Sequence, residues 1–128
     1  MANEAPRTVY VIEDDTALRT AYAAALTQLG HQVKTASDGQ EGEVLVKQSI
    51  PDMILLDMVM PNMDGVEFLG RLRAEPATKA VRVVVVSSFE SAPAIENLKV
   101  DEYLSKMQTP PEQVAAIVDR LLRQPTQS

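Results

Sequence analysis

Met53-Ile54-Leu55-Leu56-Asp57-Met58-Val59-Met60-Pro61-Asn62-Met63-Asp64-Gly65 is the stretch that decides how this chain folds. Its apolar run carries one carboxylate, Asp57, and ends in a proline and turn residues. A short continuous apolar run bounded by turn signals predicts a strand buried on both faces, as in a parallel sheet. Aspartate is rarely buried without a partner, so Asp57 is expected where the strand ends and solvent begins. In open parallel sheets, ligands bind in the crevice outside the carboxyl ends of the strands. The plainer alternative is an aspartate that merely opens a loop, and the flanking sequence has to choose between them.

Toward the N-terminus, Thr8–Ile12 (TVYVI) reads as a strand that runs into Glu13-Asp14-Asp15. Leu18, Tyr22, Ala25, Leu26 and Leu29 then recur at helical spacing, with Asp15 as N-cap and Gly30 as the stop. Residues 31–36 form a second, more polar strand near an edge. Ser37-Asp38-Gly39 is turn chemistry, and residues 41–48 form a helix weakened by Gly42. Toward the C-terminus, Asp64 is placed to cap a helix that buries Val66, Leu69 and Leu72, with Glu67 and Arg71 paired one turn apart. Residues 81–86 (VRVVVV) are another buried strand, ending at Ser87-Ser88. A short helix is expected around residues 94–98 and a fifth strand at 102–104, ending in Ser105-Lys106. Thr109-Pro110-Pro111-Glu112 reads as a capping box with proline at the first helical position. Val114, Ile117, Val118, Leu121 and Leu122 make the stripe of the last helix. Five strands alternating with five helices predict an α/β, doubly wound, parallel sheet between helical layers.

Bulk properties narrow the function. The chain has 128 residues, which fits one domain. No apolar run approaches the roughly 20 residues of a membrane helix, and the N-terminus lacks a secretory layout. With no cysteine there is no disulfide framework and no thiolate metal site. A net charge of −6 argues against direct binding to nucleic acid or anionic lipid. A cytoplasmic location is expected.

The chemistry-bearing residues fall at corresponding places. Glu13 and Asp14 follow the first strand, Asp57 ends the third, Ser87 ends the fourth and Lys106 ends the fifth. All carboxyl ends of a parallel sheet face one way, so these side chains should converge. Each alone has a dull explanation: acids cap helices, serines end strands, lysines are solvated. Their coincidence does not. Clustered carboxylates repel unless a cation offsets them, and an oxygen-only set suits a hard ion such as Mg²⁺. With a lysine and a hydroxyl opposite, the set describes phosphoryl transfer to a carboxylate nucleophile.

In order, the motifs VYVIEDD, MILLDMVMPNMDG, VVVVSS and DEYLSK resemble the receiver domains of two-component response regulators, over almost the whole chain. The resemblance implies a flavodoxin-like strand order of 2-1-3-4-5 and a receiver domain over residues 7–123, with flexible ends at 1–6 and 124–128. It implies that Asp57 is phosphorylated by a histidine kinase or histidine phosphotransfer protein within a phosphorelay. Asp14 and Asp57 would be direct ligands of Mg²⁺ (or Mn²⁺), Glu13 would act largely through water, and the Val59 backbone carbonyl would be a further ligand. Ser87 matches the hydroxyl that turns toward the phosphoryl group, Lys106 the lysine that pairs with it, and Tyr103 the switch aromatic. Such a domain catalyses only its own phosphorylation and dephosphorylation. Five residues follow Arg123, so a stand-alone domain acting on a downstream protein is expected, the alternative being a domain separated from a DNA-binding or enzymatic output domain; a monomer or weak dimer is expected.

Three departures from the family pattern stand out. Met107 follows Lys106 where proline with a cis bond is usual; a non-proline cis bond costs about 3–4 kcal/mol, so a trans bond and a re-routed loop are expected. The segment between Ser87 and Lys106 is short, which predicts a reshaped output face. Val59 and Phe89, two residues beyond Asp57 and Ser87, are apolar and predict a long-lived phosphoryl group. The alternative reading is a phosphorylation-independent docking module with the same fold. An aspartyl-phosphate phosphohydrolase would want its second aspartate at Val59, and a flavodoxin-type phosphate binder would be repelled by Glu13-Asp14-Asp15.

Overall fold

The computed structural model describes residues 6–88 and 99–124. Five parallel strands form one sheet, β1 (Thr8–Ile12), β2 (Gln32–Ala36), β3 (Met53–Asp57), β4 (Arg82–Ser87) and β5 (Glu102–Ser105), in the order β2-β1-β3-β4-β5. The helices are α1 (Thr16–Gln28), α2 (Gly39–Gln48), α3 (Gly65–Ala74) and α4 (Pro111–Arg123). The short helix expected around residues 94–98 lies outside the described residues.

Period-two alternation sorts the strand side chains into two cores. Tyr10, Ile12, Ile54, Leu56, Val83 and Val85 pack with Val46 of α2 and Phe68, Leu69 and Leu72 of α3. Val9, Val11, Met53, Leu55, Val84 and Val86 pack on the other side with Tyr22 and Leu26 of α1 and Val114, Val118 and Leu122 of α4. The expected burial of β3 on both faces is observed, because every residue from Met53 to Asp57 is buried. β2 is the polar edge, with Gln32, Lys34 and Thr35 exposed.

The local signals work as read, with two corrections. Asp15 accepts from Leu18 N at 3.0 Å and Asp64 from Glu67 N at 2.9 Å, each capping its helix. Arg71 reaches Glu67 at 3.1 Å. Gly30 has φ 95°, the left-handed value a helix stop uses. The first correction concerns α2, which starts at Gly39, ahead of the expected 41, because Asp38 caps it through Glu41 N. The turn chemistry there was N-cap chemistry. The second concerns the expected capping box of α4. Pro110 is the N-cap with no side-chain cap bond, which places Thr109 one residue before the cap and Glu112 at the second rather than the third helical position.

Side chains tie the layers at their amino-terminal pole. Tyr10 Oη donates to Ser49 O at 2.6 Å, and Arg7 donates to Leu122 O at 2.8 Å near the end of α4. His31 Nε2 lies 2.8 Å from Asp119 Oδ1, joining the entry of β2 to α4. Two glycines with no atom within 4 Å of an added Cβ separate conformation from packing. Gly70→Ala, inside α3, is expected to raise stability by about 0.5–1 kcal/mol, whereas Gly30→Ala, at positive φ, is expected to cost about 1 kcal/mol. Urea midpoints at constant m-value check both signs.

Candidate functional site

The register of the sheet assembles the site. Ile12 pairs with Leu56, and Asp57 pairs with Val86, so the β1 acids and the end of β3 lie side by side. Ser87 pairs with Ser105, one residue short of Lys106, and Lys106 N donates to Ser87 O at 2.9 Å. All four strand ends point the same way. One carboxylate oxygen from each of Glu13, Asp14 and Asp57 lies within 4.8 Å of the others.

Burial sets the electrostatics. Asp57 is 2% exposed and Glu13 1%, while Asp14 is exposed. Asp57 does sit at the strand end, yet it is buried, contrary to the expectation that solvent begins there. Lys106 is the partner that makes this tenable, with Nζ 3.2 Å from Asp57 Oδ1 and 3.0 Å from both oxygens of Glu13. The Lys106 ammonium donates to Glu13 Oε2. Among the described residues, Glu13 Oε1 and Asp57 Oδ2 are buried oxygens without a hydrogen-bond partner. Val59 N donates to Asp57 Oδ1 at 3.3 Å. Arg19 donates to Glu13 O at 2.9 Å and Asp14 O at 3.3 Å, holding the acid turn from the first turn of α1.

Burial, then the Glu13 charge, push the Asp57 carboxyl up to about 7, against the pull of Lys106. Burial also works against the Lys106 charge, but Glu13 and Asp57 outweigh it and hold the ammonium above the usual lysine range. Tyr22, beneath the site on α1, is pushed up to about 12 by burial and by Glu13. Orphaned, buried carboxylate oxygens beside an exposed third carboxylate are what a hard divalent cation would complete. The residues fit such an ion.

The sequence-based candidates find these places. Glu13, Asp14, Asp57, Ser87 and Lys106 come together, and Ser87 is wholly buried. Glu13 also meets Lys106 directly. Tyr103 is half-buried against the α2–α3 core. The Val59 amide is held on Asp57, and the Val59 side chain is 53% exposed. No cis peptide occurs among the described residues, and Met107 is exposed. Phe89 lies outside the described residues. Arg19 was missed by sequence reasoning; its signal was a cation in a first helical turn, where the helix dipole disfavours one.

Residues 9–118 match the family model described as the response regulator receiver domain. The chain is similar to the gliding motility regulatory protein of Myxococcus xanthus, 34% identical over 88% of this chain and 15% of that one. Across three curated relatives it spans 15% to 52% of their length. It is similar in structure to the phosphorylated cyanobacterial phytochrome response regulator RcpA (29% identity, TM-score 0.78, 91% of each chain). It is likewise similar to the Mn²⁺-bound response regulator Rcp1 (25% identity, TM-score 0.83, 96% of this chain and 99% of that one).

A metal-free test follows from the buried carboxylate. The folded-state pKa of Asp57, about 7, lies above the ordinary 3.8, so folding favours the neutral acid. That contribution is complete below about pH 4 and is lost as pH rises through about 7. Asp57→Asn, permanently neutral, is expected to exceed the parent in stability above pH 7 in chelator, with the gap closing toward pH 4. Thermal melts across that range decide it; a gap independent of pH would contradict it.

Proposed function

The chain belongs to the response regulator receiver domain family, and on that premise we propose that it takes a phosphoryl group onto Asp57. The observation that carries this reading is the buried Asp57 carboxylate, one oxygen paired with Lys106 and the other without a hydrogen-bond partner among the described residues. The donor is the phosphohistidine of a histidine kinase or a histidine phosphotransfer protein. One Asp57 oxygen attacks phosphorus, the phosphorus–nitrogen bond breaks, and the donor imidazole leaves with the electron pair. Receiver domains are signalling modules rather than classical enzymes, so the reaction modifies the protein itself.

Asp14, Asp57 and the Val59 carbonyl would hold Mg²⁺, with Glu13 behind them; Mn²⁺ would substitute. The ion supplies charge neutralisation at the transferring phosphoryl oxygens. Lys106 supplies the protein's own positive charge there, and its ion pair with Glu13 keeps it aimed before the donor arrives. After transfer, the Ser87 hydroxyl turns to a phosphoryl oxygen and Tyr103 packs inward, so that one added phosphate biases a two-state element. The apolar Val59 beside the site favours a long phosphoryl lifetime, and a half-life of seconds would count against that. Residues 7–123 form the receiver unit. Among the described residues no helix is long and apolar enough to cross a membrane.

Intact mass after incubation with a small acyl phosphate tests the reading. One added phosphoryl group is expected, dependent on Mg²⁺ and absent in Asp57→Asn. Lys106→Ala is expected to slow its appearance about 100-fold, the scale for losing one charge that stabilises the transition state. A folded protein that forms no adduct would favour the docking-module reading instead.

A further inference from the structure

The loop between β3 and α3 is pinned from outside the acid cluster. Asp38, buried at the start of α2, uses its two carboxylate oxygens for different tasks. Oδ1 accepts from Glu41 N at 2.9 Å and caps α2; Oδ2 accepts from Asn62 Nδ2 at 2.7 Å, across 24 residues of sequence. Capping needs only the first bond. The second fastens the loop.

One backbone angle and two further contacts work in the same direction. Asn62 has φ 67°, the one positive value at a non-glycine among the described residues, in a region that asparagine tolerates better than most. Gly39 N donates to Met63 O at 3.1 Å, and a Cβ on Gly39 would stand 2.5 Å from that oxygen. At the other end, Gly65 N donates to Met58 O at 3.0 Å, and a Cβ on Gly65 would stand 2.5 Å from Asp57 O. Met58, Met60 and Met63 are buried beneath the loop. The segment that begins one residue after Asp57 is therefore held to Asp57 through the Val59 amide, closed on itself by Gly65 and Met58, and tied to α2 through Met63 and Asn62.

We propose that Asp38 and Asn62 are a positioning pair that holds the β3–α3 loop and so sets the affinity of the Glu13–Asp14–Asp57 cluster for a divalent cation. The inference rests on the ion-binding part of the function proposed above. Neither residue is among the three clustered acids. They act through the loop, which carries the Val59 amide on Asp57 and the carbonyl assigned to the ion. Groups that orient metal ligands contribute to affinity by removing alternative ligand placements.

Asn62→Gly keeps the positive φ and the α2 cap while deleting the tie. Asp38→Asn combined with Asn62→Asp exchanges donor and acceptor and restores it. Two measurements separate positioning from general support: amide exchange at Gly39 and Gly65 in the metal-free protein, and Mg²⁺ affinity by calorimetry. Asn62→Gly is expected to speed exchange at Gly39 and weaken Mg²⁺ about tenfold, the low end for groups that hold metal ligands. The exchanged pair is expected to recover both. Faster exchange with Mg²⁺ affinity unchanged would overturn the proposal, as would a parent protein that binds no Mg²⁺. A parent that binds Mg²⁺ but accepts no phosphoryl group would sink the phosphoacceptor reading alone, and the affinity comparison would still judge the pair.

Discussion

Two buried carboxylates facing one lysine are the constraint around which the molecule is arranged. Glu13 and Asp57 are both removed from water, and each would repel the other without Lys106 between them. A pair of buried acids is tolerable only where the backbone fixes a cation against both. A parallel sheet does this economically: three strand ends in register deliver an acid, an acid and a lysine to one edge. The arrangement still leaves a deficit, since two oxygens have no hydrogen-bond partner among the described residues and Asp57 resists ionisation.

The parts of the fold governed by local rules were legible in the sequence. Apolar runs gave β1, β3 and β4 nearly to the residue, and Asp15 and Asp64 are where cap chemistry put them. Strand order came from the receiver resemblance, since nothing in the periodicity of VRVVVV says which strand lies beside it. The convergence of Glu13, Asp14, Asp57, Ser87 and Lys106 followed from one physical fact, that parallel strands present their carboxyl ends together. That step needed no distances.

Sequence reasoning stopped short where an interaction joins distant segments or where one residue type serves two purposes. Asp38 looked like turn chemistry because aspartate favours turns and helix caps alike; its bond to Asn62 depends on how α2 and the β3–α3 loop meet. Thr109 and Glu112 have capping-box spacing, yet Pro110 takes the cap position and the spacing is wasted. The depth of Asp57 was misjudged for a similar reason. Its partner lies 49 residues further along and becomes visible only once β4 and β5 are side by side.

The polar character of β2 also shapes how copies of this domain can meet. An open sheet ends in rows of unpaired backbone donors and acceptors, which invite a further strand from another molecule. Here one border exposes Gln32, Lys34 and Thr35, and burying the Lys34 ammonium against a neighbour would be costly. The opposite border is β5, only four residues long. Lateral growth of the sheet is discouraged at one side by charge and at the other by brevity, so neither border offers a neighbouring copy an easy strand to pair with.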